Sequence, residues 1–230
     1  MKRSTVILII LVIVLGDQAL KFYIKTHYVI NESHNVFGNW FKLLFVENEG
    51  MAYGMKFGGG FGKIALTLFR LVAVVFGVWY LNHIVKKQYH KGFIICAALI
   101  FSGALGNLID SMFYGMIFDS SYDPATYMGG DVVAKAFTGK GYGSFLHGKV
   151  VDMLYFPIIR NAHFPEWVPV WGGQEFEFFR PIFNIADASI STGIITILVF
   201  QKKLLAPLED KKNTKIVETT AIADDNVHIL

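Results

Sequence analysis

Charged residues are scarce in this chain, and cysteine is almost absent. Asp, Glu, Lys and Arg together make up 17% of the 230 residues, compared with about 25% in an average soluble domain. The single cysteine, Cys96, lies in an apolar run, which excludes an internal disulfide and a cysteine-cluster metal site. The seven histidines form no HExxH motif. The sequence therefore gives no support for metal chemistry, and we expect no cofactor.

The chain also lacks a strong excess of one charge. The formal net charge is +3, and there is no basic block of the kind that marks nucleic-acid-binding segments. We therefore expect no nucleic-acid partner. Hydrophobic residues, by contrast, make up 53% of the chain. Abundant apolar residues with few charges indicate a membrane protein.

Four apolar runs approach the length of about 20 residues that an α-helix needs to cross a bilayer. They predict membrane spans at about 5–21, 64–84, 92–112 and 182–200. The basic start and short apolar core of the first run also fit a signal peptide, but no A-x-A cleavage site follows it and three more runs do. We therefore expect a retained first span and a mainly α-helical membrane fold with four transmembrane helices.

Basic residues flank these runs at one side. Lys2 and Arg3 precede the first run, KKQYHK (86–91) links the second and third, and QKK follows the fourth. The positive-inside rule places such segments in the cytoplasm. Both termini are then predicted to be cytoplasmic, and two long loops, 22–62 and 113–181, face outward.

The two outer loops differ in composition. The first contains NWFKLLFVENEGMAYGMKF, whose apolar stretches and glycines predict short strands at the membrane surface. The second is rich in glycine and proline, which predicts an irregular segment. We expect a single membrane domain, 1–205, followed by a polar tail, 206–230, that is predicted to be disordered and cytoplasmic.

Each predicted span carries a polar residue at a similar depth. Asp17, Arg70, Asn107 and Asp187 each lie about 14–16 residues, or about 21–24 Å, from the basic flank of their run. A charged residue at the centre of a spanning helix costs about 2.5–3.5 kcal/mol. Snorkelling or a buried structural pair is one interpretation for Asp17 and Arg70, and a shared polar site toward the outer leaflet is the other.

Two of these residues have a polar neighbour nearby in the sequence. Asn184 precedes Asp187 by three residues, and Asn107 precedes Asp110 by the same spacing, which places each pair on one helix face. Small residues in the same runs, such as Gly103, permit close helix packing. The two pairs at matching depth indicate a shared polar pocket.

A further carboxylate, Asp152, lies in the apolar stretch GKVVDMLYFP. An isolated Asp in a loop is commonly a turn former or a cap. If Asp152 were paired with Asp187, however, both could not ionise cheaply, and one would keep its proton. The ionised partner could polarise a water while the other protonates the scissile amide. That is aspartic-protease chemistry.

Five motifs occur in order along the chain: DQALK (17–21), ENEGMAYG (47–54), GALGNLID (103–110), VVDMLYFP (150–157) and FNIADASI (183–190). With these motifs the chain resembles the lipoprotein signal peptidases (signal peptidase II), which are aspartic endopeptidases of the bacterial inner membrane. The resemblance covers about residues 1–205. It implies four helices with a small extracytoplasmic β-cradle and a loop over the site, and cleavage of prolipoproteins just before a cysteine that carries diacylglycerol.

The resemblance also implies residue roles by motif position. Asp152 and Asp187 match the catalytic pair of the family. Supporting and substrate-contacting positions are matched by Asp17, Lys21, Asn48, Gly50, Asn107, Asp110, Asn184 and Ala186. The implied setting is the inner membrane, with the active site facing the periplasm and the bilayer and diacylglyceryl-prolipoproteins as partners. We expect a monomer, because both acids lie on one chain.

The sequence departs from the family pattern at two places. Family members usually carry Arg directly after the aspartate of the third motif, but here that residue is Ser111. Arg70, predicted at a similar depth, is a hypothetical replacement that would contact substrate. The segment 119–145 looks longer than the usual connection, and a lid, a partner-docking element and a lineage-specific ornament are all open interpretations.

Two other functions are open from the residues themselves. Intramembrane carboxylates also mark ion paths, so a small proton-coupled membrane transporter is the alternative, although the polar residues cluster at one level and the sequence below them is apolar. A non-catalytic assembly or lipid-binding protein is the third hypothesis. Replacing Asp152 or Asp187 by Asn separates them, because a peptidase would lose cleavage while still folding and inserting.

Overall fold

The computed structural model describes residues 1–49, 60–123, 130–178 and 181–205. The predicted polar tail, 206–230, lies outside the described residues. Helices occupy most of the apolar sequence, and short strands occur in both predicted outer loops. The result is a membrane-type fold of apolar helices with a small antiparallel sheet.

Among the described residues, three helices are long and apolar enough to cross a membrane: α1 (Arg3–His27), α2 (Gly60–Lys86) and α3 (Lys91–Ile109, continued to Ile117). Large apolar side chains on α1 and α2 are exposed on the protein surface, as expected for faces that contact lipid. Helix α1 ends later than predicted, at His27. Of the polar residues beyond residue 21, Lys25 is buried inside the protein, whereas His27 is exposed.

Helix α3 changes geometry where the third motif ends. A π-helical turn, Asp110–Tyr114, follows Ile109, and a short helix, α4 (Gly115–Ile117), completes the segment. π-Helical turns are rare in proteins, and those that occur are often found at functional sites. The turn keeps Asp110 and Ser111 buried.

The fourth predicted span corresponds to α5 (Ile185–Val199) followed by α6 (Gln201–Leu204). Helix α5 is apolar but shorter than the other three. It begins at Ile185 instead of residue 182 because Asn184 caps it, accepting a hydrogen bond of 2.8 Å from the backbone N–H of Asp187.

A four-stranded antiparallel sheet packs beside the helices. Its strands are β1 (Ser33–Phe37), β2 (Phe41–Asn48), β5 (Val150–Tyr155) and β8 (Ile182–Phe183), in the order β1-β2-β5-β8. The strands predicted in the first outer loop are therefore confirmed. Pairing of β8 with β5 explains why the residues before Asn184 are extended and not helical.

The second outer loop is more regular than predicted. It contains β5 and two separate ribbons, formed by β3 (Tyr122–Asp123) with β4 (Gly130–Asp131) and by β6 (Ile159–His163) with β7 (Glu175–Phe178). The prediction of an irregular segment holds only for the stretches between these elements, such as 132–149. Strand β5 pairs with β2, about a hundred residues earlier, and local composition does not reveal such a contact.

Buried apolar side chains form two clusters at different heights along α1. One includes Val6 and joins α1 to α2, α3 and α6. The other includes Ile24 and joins α1 to β2, β5 and the end of the third helix. Between Val6 and Ile24, α1 buries Asp17 and Lys21. The polar layer predicted from depth counting therefore lies between two apolar clusters.

Candidate active site

Asp152 lies in β5 with its side chain directed into a polar pocket. The residue is 3% exposed. Its Oδ1 accepts a hydrogen bond from Asn184 Nδ2 at 2.7 Å, and its Oδ2 accepts one from Asn48 Nδ2 at 3.1 Å. Asn48 reaches this position because β2 pairs with β5, with Asn48 opposite Val150. Two amides thus fix both oxygens of the carboxyl group.

Asp187 lies in the first turn of α5. Its Oδ1 accepts a hydrogen bond of 2.7 Å from Asn107 Nδ2 on α3. The positive end of the helix dipole favours a negative charge at this position. Asp187 is therefore held at the start of α5 by an amide from α3.

Asn184 connects the two acids. Its Oδ1 accepts from the Asp187 N–H, and its Nδ2 donates to Asp152 Oδ1 and, at 3.2 Å, to Asn107 Oδ1. The sequence placed Asn184 and Asp187 on one helix face, but the structure shows that Asn184 is the cap that precedes the helix. The three-residue spacing is that of a cap and the residue whose N–H it receives.

The environment of Asp152 favours its protonated form. Burial, and secondly the negative charge of Asp187, raise the pKa of Asp152 to about 7, against the opposing effect of the hydrogen bonds from Asn48 and Asn184. One member of the pair therefore holds a proton near neutral pH, which is the state that acid–base catalysis by two carboxyl groups requires.

A buried ammonium group organises the residues behind the pair. Lys21, with its side chain fully buried, lies 2.8 Å from Asp17 Oδ2 and 2.7 Å from Asp110 Oδ2. Its Nζ also donates to Asn107 Oδ1 at 2.9 Å. Because Lys21 and Asn184 both occupy Oδ1 of Asn107, the amide must present its Nδ2 to Asp187.

Asp17 also contacts α5 directly. Its Oδ1 accepts a hydrogen bond of 2.9 Å from the backbone N–H of Ala186. That N–H is one of the free donors of the first helical turn, so the bond ties the start of α5 to α1. Ala186 thus joins the network through its backbone N–H, and its side chain is fully buried.

Arg70, on α2, lies beside the position where the family motif carries arginine. Its Nη1 donates to Ser111 Oγ at 2.9 Å, and Ser111 Oγ in turn donates to the Asn107 carbonyl at 2.9 Å. The guanidinium is close enough to interact electrostatically with Asp187, Asp110 and Asp152. The depth estimate that placed Arg70 with the other polar residues agrees with this geometry.

The structure brings most of the predicted site residues into one network, but not all of them can be placed. Gly50 lies outside the described residues. Sequence reasoning also missed Gln18, which donates to Asp110 Oδ1 at 2.8 Å and accepts from the hydroxyl of Tyr114 at 3.1 Å. Its place inside the DQALK motif was the available signal.

Comparison with known proteins identifies the family. Residues 9–202 match the family model described as signal peptidase (SPase) II. The lipoprotein signal peptidase of Porphyromonas gingivalis is 44% identical over 93% of this chain and 89% of the relative. That of Amoebophilus asiaticus is 29% identical over 92% and 84%.

Two solved structures described as bacterial membrane enzymes share the fold. One is 24% identical with a TM-score of 0.54, covering 90% of this chain and 94% of the other. The second is 25% identical with a TM-score of 0.53, covering 87% and 94%.

The apolar helical fold and the family match together define a membrane-type peptidase. The chain belongs to the signal peptidase II family, whose members are aspartic peptidases. The peptidase prediction is thereby confirmed, and nothing in these comparisons favours the transporter alternative.

Proposed function

We propose that this peptidase removes signal peptides from diacylglyceryl-modified prolipoproteins, cleaving before the lipidated cysteine with Asp152 and Asp187 as its catalytic pair. The observation that carries this proposal is the position of Asn184, whose one side chain bonds to Asp152 and to the backbone of Asp187. The name of the 44% identical relative supports the substrate class.

The proposed reaction assigns a different role to each acid. Asp187 is the ionised partner and takes a proton from the attacking water, because it lies at the positive end of α5. Asp152, whose pKa is raised to about 7, donates its proton to the scissile carbonyl oxygen, giving a gem-diol. The amide nitrogen then takes the proton from Asp187, the C–N bond breaks, and one diol hydroxyl returns its proton to Asp152.

The remaining polar residues hold these groups in place. Asn48 and Asn184 orient Asp152, and Asn107 orients Asp187. Behind them, Lys21 forms ion pairs with Asp17 and Asp110. Asp17 also accepts a hydrogen bond from the backbone N–H of Ala186, which connects α1 to α5. We include Gly50 as a substrate-contacting position on the strength of its motif.

Arg70 is proposed to supply the positive charge that relatives carry at the position of Ser111. Its hydrogen bond to Ser111 Oγ supports this assignment. A guanidinium presents several donors in a rigid planar arrangement, so it suits backbone carbonyls of a bound signal peptide. In this role Arg70 contacts substrate and does not transfer protons.

The proposed membrane arrangement is four crossings with both termini in the cytoplasm. The basic helix ends, which include Arg3, Lys86 and Lys202, lie at the same end of the helix bundle as the apolar cluster that contains Val6. The acids lie at the other end, which the positive-inside rule directs to the periplasm. In this inner-membrane setting the acyl chains of the substrate stay in the bilayer while the peptide reaches Asp152, and a monomer is sufficient.

The proposal is tested with purified protein and a diacylglyceryl-modified prolipoprotein, with the products identified by mass. We expect wild type to cut before the modified cysteine, and Asp152→Asn and Asp187→Asn to fold but lose cleavage. Glu166→Gln, which changes an exposed acid, is the matched control and should retain activity. Cleavage by both Asp variants would overturn the catalytic pair, and failure of wild type to cut would overturn the substrate class.

A further inference from the structure

A second group of buried charges lies near the catalytic pair, and the proposed mechanism does not use it. Its centre is Glu47, at the end of β2. Oε1 of Glu47 accepts hydrogen bonds from Lys25 Nζ and, at 2.7 Å, from Ser121 Oγ, while Oε2 accepts one from Lys149 Nζ at 2.9 Å. Together with Tyr142, these residues are called the Glu47 cluster below.

Lys25 is enclosed by aromatic rings. Its side chain is fully buried, and its Nζ lies 5.7, 5.4 and 4.9 Å from the ring centroids of Phe45, Phe118 and Tyr142. Cation–π attraction offsets part of the lost hydration, but a buried ammonium still needs a counter-charge. Glu47 provides it, and the positive charges of Lys25 and Lys149 outweigh burial and lower the pKa of Glu47 to about 2.

The Glu47 cluster joins four parts of the chain. Lys25 comes from α1, Glu47 from β2, and Lys149 from the residue before β5. Ser121 and Tyr142 come from the long segment 119–145. The backbone N–H of Lys149 also donates to the Tyr142 hydroxyl at 2.7 Å, which fixes the segment to the start of β5. Ser121 and Tyr142 therefore connect this segment to the Glu47 cluster.

The geometry of β2 links this cluster to the catalytic pair. Glu47 and Asn48 are consecutive in the strand, opposite Val151 and Val150 of β5. Consecutive side chains of a strand point to opposite faces of the sheet. Glu47 therefore holds the end of β2 from one face, while on the other face Asn48 donates its amide hydrogen to Asp152.

We propose that the Glu47 cluster is a positioning site for peptide hydrolysis, which fixes the end of β2 so that the Asn48 amide stays on Asp152 and in which Ser121 and Tyr142 are part of the active-site scaffold. This inference rests on the proposed function of Asp152. It gives Ser121 and Tyr142 a different role from a lid, a docking element or an ornament, because Ser121 contacts Glu47 and Tyr142 contacts Lys25.

The proposal has a signed consequence for the pH dependence of cleavage. The hydrogen bond from Asn48 opposes the upward shift of the Asp152 pKa. When that bond is lost, Asp152 holds its proton to higher pH. The alkaline limb of kcat/KM, which reports loss of the shared proton, should then move to higher pH. A purely structural role for Glu47 would lower stability without moving this limb.

The test compares Glu47→Gln, Asn48→Ala and the double variant in the prolipoprotein cleavage assay across pH. We expect each single variant to lower kcat about tenfold or more, since displacement of a catalytic group is costly, and to move the alkaline limb upward. The double variant should resemble Asn48→Ala, because the two changes act through one contact. Glu166→Gln, at an exposed position outside the cluster, is the matched charge control.

Two outcomes would overturn the positioning role: an unmoved limb in Glu47→Gln while Asn48→Ala moves it, or full additivity in the double variant. An unmoved limb in Asn48→Ala itself would instead overturn the role of Asp152. If Glu47→Gln does not fold, Ser121→Ala keeps both buried charges and replaces it. That variant should move the limb in the same direction by a smaller amount, and an unmoved limb would count equally against the proposal.

Discussion

The raised pKa of Asp152 suits its proposed role as proton donor but lowers the stability of the fold near neutral pH. Its pKa is raised from 3.8 to about 7 by burial first and by the charge of Asp187 second. A carboxyl group whose pKa rises on folding stabilises the fold below its unfolded pKa, and that contribution is lost as pH rises through the folded pKa. Wild-type stability should therefore fall between pH about 4 and about 7 through this residue.

The first prediction is that Asp152→Asn removes part of this pH dependence. An amide does not ionise, so the melting temperature of the variant in a non-ionic detergent should change less between pH 4 and pH 8 than that of wild type. Glu166→Gln, at an exposed position, should keep the wild-type slope. Identical slopes for Asp152→Asn and wild type would show that Asp152 ionises normally.

Arg70 gives a second prediction at the residue scale. Its Nη1 lies 2.9 Å from Ser111 Oγ. An arginine substituted at residue 111, in the π-helical turn after α3, could therefore place its positive charge in the same region as Arg70 on α2. Arg70→Leu should lower kcat/KM about tenfold or more, chiefly through KM, since a charged hydrogen bond contributes about 1.5–3 kcal/mol. Adding Ser111→Arg should restore much of the loss.

The control for this exchange is Ser111→Ala, which removes the hydrogen bond but keeps the Arg70 charge and should have a smaller effect than Arg70→Leu. Cleavage of the prolipoprotein is measured at several substrate concentrations for each variant. Unchanged kcat/KM in Arg70→Leu would show that the guanidinium does not contact substrate.

Helix α5 positions Asp187 through close packing against α3. The two backbones approach so closely at Gly103 that an added Cβ would lie 2.2 Å from the Ala186 carbonyl oxygen. A backbone atom at the start of a helix cannot move aside as a flexible side chain can. Any side chain at residue 103 must therefore shift the beginning of α5, which carries Asp187.

The third prediction is that Gly103→Ala destabilises the protein by about 1–3 kcal/mol, as overpacking does, and also reduces cleavage. Gly16→Ala on α1 is the matched control. Apart from its chain neighbours and the adjacent backbone of its own helix, no heavy atom of the described residues lies within 4 Å of a Cβ added at Gly16. That change should be neutral or slightly stabilising, since alanine favours helix. Both effects are measured by thermal unfolding and by cleavage assay, and equal behaviour of the two variants would contradict the packing argument.

Element boundaries show what could be predicted from the sequence and what could not. Apolar runs identified the long helices, because burial in lipid depends on local composition. The end of α1 was placed too early, since Lys25 is polar in sequence but buried against Glu47 in the structure. The position of β5 in the sheet depends on its pairing with β2, which no local pattern contains.

The candidate site was more predictable than the sheet. Asp152, Asp187 and Asn107 lie in short motifs that the chain shares with the lipoprotein signal peptidases. The resemblance therefore located these residues without any knowledge of the fold. Glu47 and Lys25 were missed because their partners lie far away in sequence. The local signal for Lys25 is the spacing of four residues from Asp17 through Lys21 to Lys25, which places the three side chains on one helix face.

At the scale of the whole molecule, two networks of buried charge lie toward the same end of α1. The Lys21 network joins α1 to α3 and, through Asp17, to α5. The Glu47 cluster joins α1 to β2 and to the start of β5. The sheet with Asp152 is thus held to α1 by the ion pair of Lys25 and Glu47, and the helix with Asp187 is held to α1 by the hydrogen bond from the Ala186 N–H to Asp17. The relative placement of the two acids therefore depends on both networks.

The last prediction concerns the response of this arrangement to acid. The pKa of Glu47 is lowered from 4.5 to about 2, because Lys25 and Lys149 outweigh the effect of burial. A depressed carboxyl pKa contributes stability above the unfolded value, and that contribution is lost as pH falls through the folded value. The Glu47 contribution should therefore be complete above pH about 4.5 and disappear toward pH about 2.

Glu47→Gln tests this response over the whole molecule. At pH 6 the variant should be less stable than wild type by about 3–5 kcal/mol, the typical cost of breaking a buried ion pair. The difference should shrink as pH falls from 4.5 to 2, while Glu166→Gln differs little from wild type throughout. Unfolding in detergent is followed by near-ultraviolet circular dichroism at each pH. A difference between Glu47→Gln and wild type that stays constant down to pH 2 would mean that the carboxylate charge of Glu47 does not hold α1, β2 and β5 together.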